Sequence, residues 1–394
     1  MQSAPSNEPP TLVVNAGSSS LKMRSIPGDH AVTIERIGDP SGAHLRSDGR
    51  TRDVGPLEDV HAAFRVALDA LGEQVDTHDV HLVGHRIVHG GERYTEPVIL
   101  DDEVLADLDA LAPLAPLHNP ANLAGIRAAR TALPHATHVA VFDTAFHATL
   151  PQRAYLYALP HELYWDYGIR RYGFHGTSHD VVSDRLAQQL GRPRASMRIV
   201  TLHLGNGASA AAVDHGVSVD TTMGFTPMEG LVMGTRSGDV DPGILLHLLR
   251  SGVTLEELDA LLNRKSGILG LSGRSNDLRD VWAAADEGDA RAAAALDVYA
   301  YRIRKTVASM AAAMGGIDAL VFTGGVGEND ARMRAAACES LGFLGIHLDP
   351  TANASHGPRI GRGDAPVETW VIPTDEEARI AELARATHRE RTPS

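Results

Sequence analysis

"TLVVNAGSSSLKMRSI" (residues 11–26) is the stretch on which the fold turns. An apolar run ends in Asn15, passes through Gly17 and three serines, and resumes as a second alternating segment. The pattern reads as two strands around a Gly/Ser turn. A glycine–hydroxyl cluster beside a strand suggests phosphate binding, yet Lys22 sits in no GxxxxGK[ST] frame and no helix pattern follows. A hairpin turn can still offer backbone N–H groups and hydroxyls to a phosphate without a helix dipole. The same strand–Gly turn–strand pattern returns at residues 199–213, "IVTLHLGNGASAAAV". Two such hairpins suggest a duplicated mixed α/β domain with a cleft between the halves.

Bulk composition narrows the rest. The 394 residues are 43% hydrophobic and 22% charged, ordinary for a globular chain and long enough for two domains. A net charge of −14 argues against nucleic acid or an anionic membrane as partner. Anionic substrates would then need positive charge supplied locally. The one cysteine, Cys338, excludes an internal disulfide and fits a reducing, cytoplasmic setting. No apolar run approaches the length of a membrane span, and "MQSAPSNEPP" lacks the layout of a signal peptide and reads as a flexible tail.

Along the chain, residues 39–56 read as a polar connection or hairpin, 61–74 as a helix and 80–91 as a strand stopped by a Gly pair. Asn119 reads as the N-cap of a helix over 119–131, with Pro120 in its first turn. A buried strand over 138–146 carries Asp143 at its end. In the second half, helices are expected at 178–191, 242–251, 254–263 and, as one long Ala-rich element, 286–314. Thr254 and Glu257 form a capping box. Residues 317–330 read as strand, Gly loop, helix, and 367–386 as a last strand and a terminal helix.

Several stretches could carry chemistry. Asn15, Ser18, Ser19 and Ser20 suit phosphate oxygens or a hydrated Mg²⁺, and equally an ordinary turn. Strand alternation puts Gly84, Arg86 and Val88 on one face. An arginine there needs an anion, either a core carboxylate or a bound carboxylate or phosphate, with Val88 lining an apolar pocket beside it. Asp143 ends a strand where α/β active sites tend to lie. His175, His203 and His118 occupy Gly-flanked or strand-end positions. Gly205, Asn206 and Gly207 form the second turn. Arg236 sits in a Gly/Thr/Ser loop, solvated or aimed at developing negative charge. Glu376 and Glu377 open a helix, as acidic capping residues often do. No serine–base or cysteine–base pair and no Cys/His cluster is evident. Two phosphate-type hairpins, two arginines and carboxylates together suit phosphoryl transfer.

The joint pattern resembles the acetokinase family. The motifs run in order as "VVNAGSSSLK", "VGHRIVHGGE", "LAPLHNP", "VFDTAFH", "YGFHGTSH", "HLGNGAS", "MGFTPMEGLVMGTRSGDVDP", "KSGILGLSG", "SNDLRD", "FTGGVGEN" and "IPTDEE", covering residues 11–386. The resemblance implies an α/β fold of two ribonuclease-H-like, actin-like ATPase domains with a cleft between them. It places a tail at 1–10, a first domain at 11–147 with a terminal helix 378–390 packing back on it, and a nucleotide-binding domain at 148–377. It implies ATP + acetate ⇌ ADP + acetyl phosphate with Mg²⁺ (or Mn²⁺), a homodimer, and no nucleic-acid or membrane partner.

Carried over by motif, Asn15 and Glu376 would attend the metal. Ser18, Ser20, Lys22, His203, Leu204, Gly205, Asn206, Gly207, Asp277, Leu278, Arg279, Gly325, Val326, Gly327, Glu328 and Asn329 would bind ATP. Arg86, Asp143, His175, Asn206 and Arg236 would be catalytic. Arg86, Val88, Leu117, Phe174 and Pro227 would hold the acetate. A propionate- or butyrate-preferring kinase is the alternative within the family, and a non-catalytic actin-like ATP-binding protein the alternative outside it.

Overall fold

The turn over residues 16–20 joins two strands, β1 (Thr11–Ala16) and β2 (Ser20–Ile26), in register from Thr11↔Ile26 to Ala16↔Leu21. Gly17 N–H donates to the Ser20 carbonyl at 2.7 Å and closes the turn. The computed structural model describes residues 10–115 and 118–391, so Leu117 lies outside the described residues. The chain divides into two compact units, residues 1–145 with 375–394, and residues 146–374.

The first unit adds β3 (His30–Glu35), β4 (Ala43–Ser47), β5 (Arg50–Gly55), β6 (Leu82–Ile87), β7 (Val98–Ile99) and β8 (Thr137–Phe142). Their order in the sheet is β5-β4-β3-β2-β1-β6-β8-β7. The second unit contains β9 (Arg198–Leu204), β10 (Ala208–Asp214), β11 (Val217–Thr221), β12 (Ala319–Thr323) and β13 (Glu368–Val371), ordered β11-β10-β9-β12-β13. The five-strand run β3-β2-β1-β6-β8 has the same connectivity and strand directions as the whole second sheet. In each, an antiparallel three-strand meander is continued by two parallel strands. Duplication, faint in residue identities, is plain in topology, and the two halves are the actin-like domains expected.

Burial explains the strand patterns. β1 is apolar almost throughout because both its faces are covered. Leu12 and Val14 pack with Phe64 of helix Val60–Gly72, while Val13 packs with Ile380 and Ala381 of helix Glu376–Arg391. β2 alternates, so Leu21 and Met23 face inward while Lys22 and Arg24 face the other way. The terminal helix lies so close to β6 that a Cβ on Gly84 would come within 2.8 Å of Ile380 Cγ2. Glycine at 84 is therefore a packing requirement.

Three local expectations are revised. The Ala-rich helix expected over 286–314 runs Ala290–Ala313, and a first helix, Leu278–Asp286, ends just before it. Gly288 has φ +94°, and Asp289 caps the second helix by accepting from the N–H groups of Arg291 and Ala292, so the pattern breaks there. Asn119 is the first residue of its helix rather than the cap, because its side chain is engaged by the backbone of His89. The glycine run after β12 is itself a short helix, Gly324–Asn329. Of the two readings of the polar stretch, the hairpin holds: residues 43–55 are β4 and β5. The Thr254/Glu257 capping box forms as expected. Among the described residues no helix is long and apolar enough to cross a membrane.

Candidate active site

In the first unit, side chains from four elements meet at the carboxyl ends of β1, β6 and β8. Arg86 donates from Nε to Asp143 Oδ1 at 3.0 Å and from Nη2 to Asp143 Oδ2 at 2.5 Å, a bidentate fork. Its Nη1 reaches Asn15 Oδ1 at 3.4 Å, and Glu376 Oε2 lies 3.8 Å from Nε. Asp143 is 1% exposed, and its N–H donates to the Ile87 carbonyl, which locks the aspartate beside the arginine's strand. Burial opposes the charge on Arg86, but Asp143 and Glu376 outweigh it and hold the guanidinium above its usual value.

Glu376 is the most perturbed acid of this group. Burial lifts its carboxyl to about 7; Arg86 pulls it down, while the carboxylates of Asp143 and Glu377 push it up. Glu377 pairs with Lys22, and Arg24 reaches Asp375 at 2.5 Å. Lys22 is thus tied to a carboxylate on the terminal helix. Ser18 and Ser20 are exposed on the β1–β2 turn. Val88 is buried, its N–H donating to Asn122 Oδ1 at 3.0 Å.

The oxygens here suit a hard divalent cation. Among the described residues no group of three or more His, Cys, Asp or Glu forms a metal cluster. That is compatible with Mg²⁺, which keeps several waters and usually takes only one or two carboxylates from the protein. A carboxyl raised to about 7 by burial, with neighbouring carboxylates pushing the same way, gains from an added positive charge. Asn15 and Glu376, with Asp143 adjacent, therefore fit such an ion.

In the second unit, a cavity of about 630 Å³ opens beside the β9–β10 turn. That is the scale of a small-molecule or cofactor site. Gly205, Asn206, Asp277, Leu278, Arg279, Gly325, Val326 and Asn329, all anticipated from sequence, line it. Sequence reasoning missed Gly234, Ile268, Asn276, Trp282, Tyr299, Asp330 and Arg332. Trp282 donates to Asp330 Oδ2 at 2.8 Å and carries the Arg332 guanidinium 3.9 Å above its ring. An aromatic and a cation 50 positions apart on separate helices gave no short motif to notice.

Other anticipated nucleotide residues face inward. Leu204 is fully buried. Glu328 turns its carboxylate back to accept from Thr323 Oγ1, Gly324 N and Thr374 N, bracing the glycine helix. His203 Nδ1 is bonded to Ser178 Oγ at 2.8 Å. Asp277 caps its helix by accepting from Arg279 N. The Arg279 side chain also bonds to Asp277 and holds that carboxyl below its ordinary value.

His175 adopts a left-handed backbone, φ +55°, at the head of helix Gly176–Leu190, and its ring lies 4.3 Å from that of His203. A Cβ on Gly207 would fall 2.6 Å from Arg236 Nη2 and 3.4 Å from His175 Nε2. The bare glycine thus leaves one small space that both side chains face. Arg236 Nη1 donates to the Pro227 carbonyl at 2.5 Å and has no carboxylate partner among the described residues. Burial alone lowers its ordinary value. Phe174 is 1% exposed, and its carbonyl accepts from His147 Nε2 at 3.1 Å.

Known proteins share this chain nearly end to end. The acetokinase family profile matches residues 10–382. An acetate kinase of Leifsonia xyli is 53% identical over 387 residues, 95% of this chain and 97% of its own. One from Staphylococcus aureus is 49% identical over 385 residues, 94% and 96% respectively. The crystal structure of Porphyromonas gingivalis acetate kinase matches with a TM-score of 0.92 at 42% identity, covering 97% of this chain and 100% of that one. A propionate kinase from Francisella tularensis matches with a TM-score of 0.90 at 37% identity, covering 95% and 99%.

Proposed function

The chain belongs to the acetokinase family, and from that premise we propose the part that each side chain plays. The chain is a phosphotransferase with a carboxylate acceptor, moving a phosphoryl group between ATP and acetate. The acceptor is already ionised near neutral pH, so no general base is required. The difficulty is bringing one anion to another, and preorganised cations answer it.

In this reading Arg86 orients the acetate carboxylate, and Arg236 meets the charge that builds on the transferring phosphoryl. His175 and Asn206 add hydrogen bonds to that phosphoryl. The observation that carries the reading is Arg236: a partly buried guanidinium bonded to a carbonyl and, among the described residues, to no carboxylate. A buried charge left without a counter-ion is costly, and an anionic substrate removes the cost. Asp143 holds Arg86 in place. Val88 contributes apolar surface for the acetate methyl beside Arg86 in the first unit, and Phe174 and Pro227 contribute it in the second. The cavity beside Gly205 takes the nucleotide, with Trp282 and Arg332 as additional lining. Ser18, Ser20 and Lys22 attend the phosphates, and Lys22 exchanges its bond to Glu377 for one to a phosphate.

Asn15 and Glu376 would hold the divalent cation, Mg²⁺ and equally Mn²⁺ by donor chemistry. When bound, it neutralises phosphate charge. Self-association is also part of the proposal: helix Pro242–Arg250 has no buried residue, and Ile244 and Leu246 are 50% and 52% exposed. A second copy would cover them, and sedimentation should report a dimer that Ile244→Asp weakens. A cytoplasmic location accords with the ATP substrate and the single buried Cys338.

The test is Mg·ATP-dependent acyl phosphate formation, trapped with hydroxylamine, across formate, acetate, propionate and butyrate. An acetate optimum is expected. A propionate or butyrate optimum would overturn the methyl-sized pocket, because one methylene shifts preference by only about 1–3 kcal/mol. Direct in-line transfer predicts inversion at a chirally labelled γ-phosphate, and net retention would exclude it.

A further inference from the structure

Behind His175 runs a chain of buried polar groups that phosphoryl transfer does not itself require. Thr201 Oγ1 lies 2.7 Å from His179 Nδ1, His179 Nε2 lies 2.8 Å from Ser209 Oγ, and Ser209 Oγ lies 2.9 Å from His175 Nδ1. Thr201, His179 and Ser209 are each 0% exposed. Thr201 and Ser209 come from the neighbouring strands β9 and β10 and His179 from helix Gly176–Leu190, so the chain is built across three elements.

We propose that Ser209, backed by His179 and Thr201, is a positioning residue that fixes the neutral His175 ring with its proton on Nε2. This inference rests on the reading of His175 as a donor to the transferring phosphoryl.

Hydroxyl bookkeeping supplies the direction. A serine hydroxyl has one proton, so Ser209 donates to one imidazole and accepts from the other. In one arrangement Thr201 donates to His179 Nδ1, His179 Nε2–H donates to Ser209, and Ser209 donates to His175 Nδ1. Every proton then has an acceptor. In the reverse arrangement His179 Nδ1–H donates to Thr201, whose own hydroxyl proton has no acceptor among the described residues. Folded proteins avoid such a buried, unmatched donor. His179 stays neutral, since burial with His147 and His203 nearby holds it well below the usual imidazole range. A doubly protonated ring donating both ways is thereby disfavoured.

The consequence lies at the other edge of the ring. His175 Nε2 faces the space above Gly207 that Arg236 Nη2 also faces. With Nδ1 occupied as an acceptor, Nε2 carries a proton whether the ring is neutral or cationic. The His203 imidazole from β9, the Ser209 hydroxyl from β10 and the Arg236 guanidinium from its loop stand at this ring, and none of these three is a carboxylate that would reverse the preference. His175 therefore remains a donor through and above the imidazole range, and turnover does not decline there on its account.

The test begins with the full-length enzyme labelled with ¹⁵N-histidine at pH 8, the His175→Gln spectrum assigning the resonances. The expected result is a protonated Nε2 and a bare Nδ1 on His175. A proton on Nδ1 would overturn the proposal without any kinetic measurement. Kinetics then tests the role. Ser209→Ala should lower kcat at pH 8 by about tenfold, a share of what a positioned proton donor contributes, and more at pH 8 than at pH 6. Ser209→Thr should restore it. A Ser209→Ala pH profile that superimposes on the parent's, while His175→Ala is inactive, would overturn the positioning role. Full turnover by His175→Ala would instead remove His175 from the reaction, leaving the spectrum to decide the tautomer.

Discussion

Arg86 and Arg236 are both partly buried, yet their surroundings are opposite. Arg86 lies in a carboxylate cage: Asp143 grips it with two hydrogen bonds and Glu376 is 3.8 Å away. Arg236 has a proline carbonyl, a glycine space and the edge of an imidazole. The first is a neutralised cation whose geometry is set before any ligand arrives. The second is an unneutralised cation whose stability improves when an anion binds. On the proposed function, equal arginines on paper divide into a positioner and a charge receptor, and removing each should have a different signature.

The largest expected effect is on turnover in Arg236→Ala, a loss of about 10³-fold or more by comparison with arginines that stabilise transferring phosphoryl groups. Its thermal stability should stay near the parent's, because no carboxylate is orphaned. A large fall in melting temperature would show that Arg236 is structural and would break the contrast. Arg86→Ala should also lose activity, and in addition lose about 3 kcal/mol of stability in denaturant titrations, since Asp143 is left buried without its partner. Adding Asp143→Ala should recover much of that stability and none of the activity.

A second pair of effects opposes the units through pH. In the second unit, burial pushes His147 down to about 4 and holds His179 well below its usual value. Imidazoles unfolded near 6.5 and depressed when folded contribute stability that is present above 6.5 and lost as pH falls toward 4. The loss is on the order of 2–3 kcal/mol for a shift like that of His147. In the first unit Glu376 runs the other way. Its folded value of about 7 lies above the ordinary 4.5, so its contribution is present at low pH and lost as pH rises from 4.5 to 7. Glu376→Gln should flatten that limb in melting curves taken without divalent cation. Added Mg²⁺ should stabilise the parent more at pH 7.5 than at pH 5.5, because the ion favours the charged carboxylate. Equal stabilisation at both would separate Glu376 from the metal.

The smallest effect belongs to Arg279. Its side chain is 90% exposed where it lines the nucleotide cavity, and its partner Asp277 is two residues away. Arg279→Ala should raise the KM for ATP by about two- to fivefold, a contribution near the ceiling for exposed ion pairs, with kcat unchanged.

Legibility followed distance along the chain. The two hairpins could be read because a glycine turn and its flanking strands lie within 16 residues, as in 11–26. Arg86 could be singled out because a charge inside an apolar strand is a local anomaly. Its carboxylate partner was another matter: Asp143 lies 57 positions on, out of reach of any local pattern. For Lys22 the sequence left solvent and phosphate open, and only the tertiary structure brings Glu377 of the terminal helix to it. Glu328 stood inside a glycine motif and was read as a nucleotide contact, whereas its carboxylate braces three backbone and hydroxyl donors. The Ala-rich helix was overextended because periodicity outran the capping signal of Asp289.

What this sequence determined by itself was the inventory: strands around glycine turns, the order of motifs, and the residue types able to meet phosphate, carboxylate and a hard cation. Those follow from local rules of backbone sterics and side-chain chemistry. Only the tertiary structure decided which charges are already spent on protein partners and which remain for a substrate. It also decided that a serine, a histidine and a threonine stand in line behind His175. Hydrogen bonds and ion pairs act over about 3 Å, and the separations that matter here are set by packing between segments far apart in sequence.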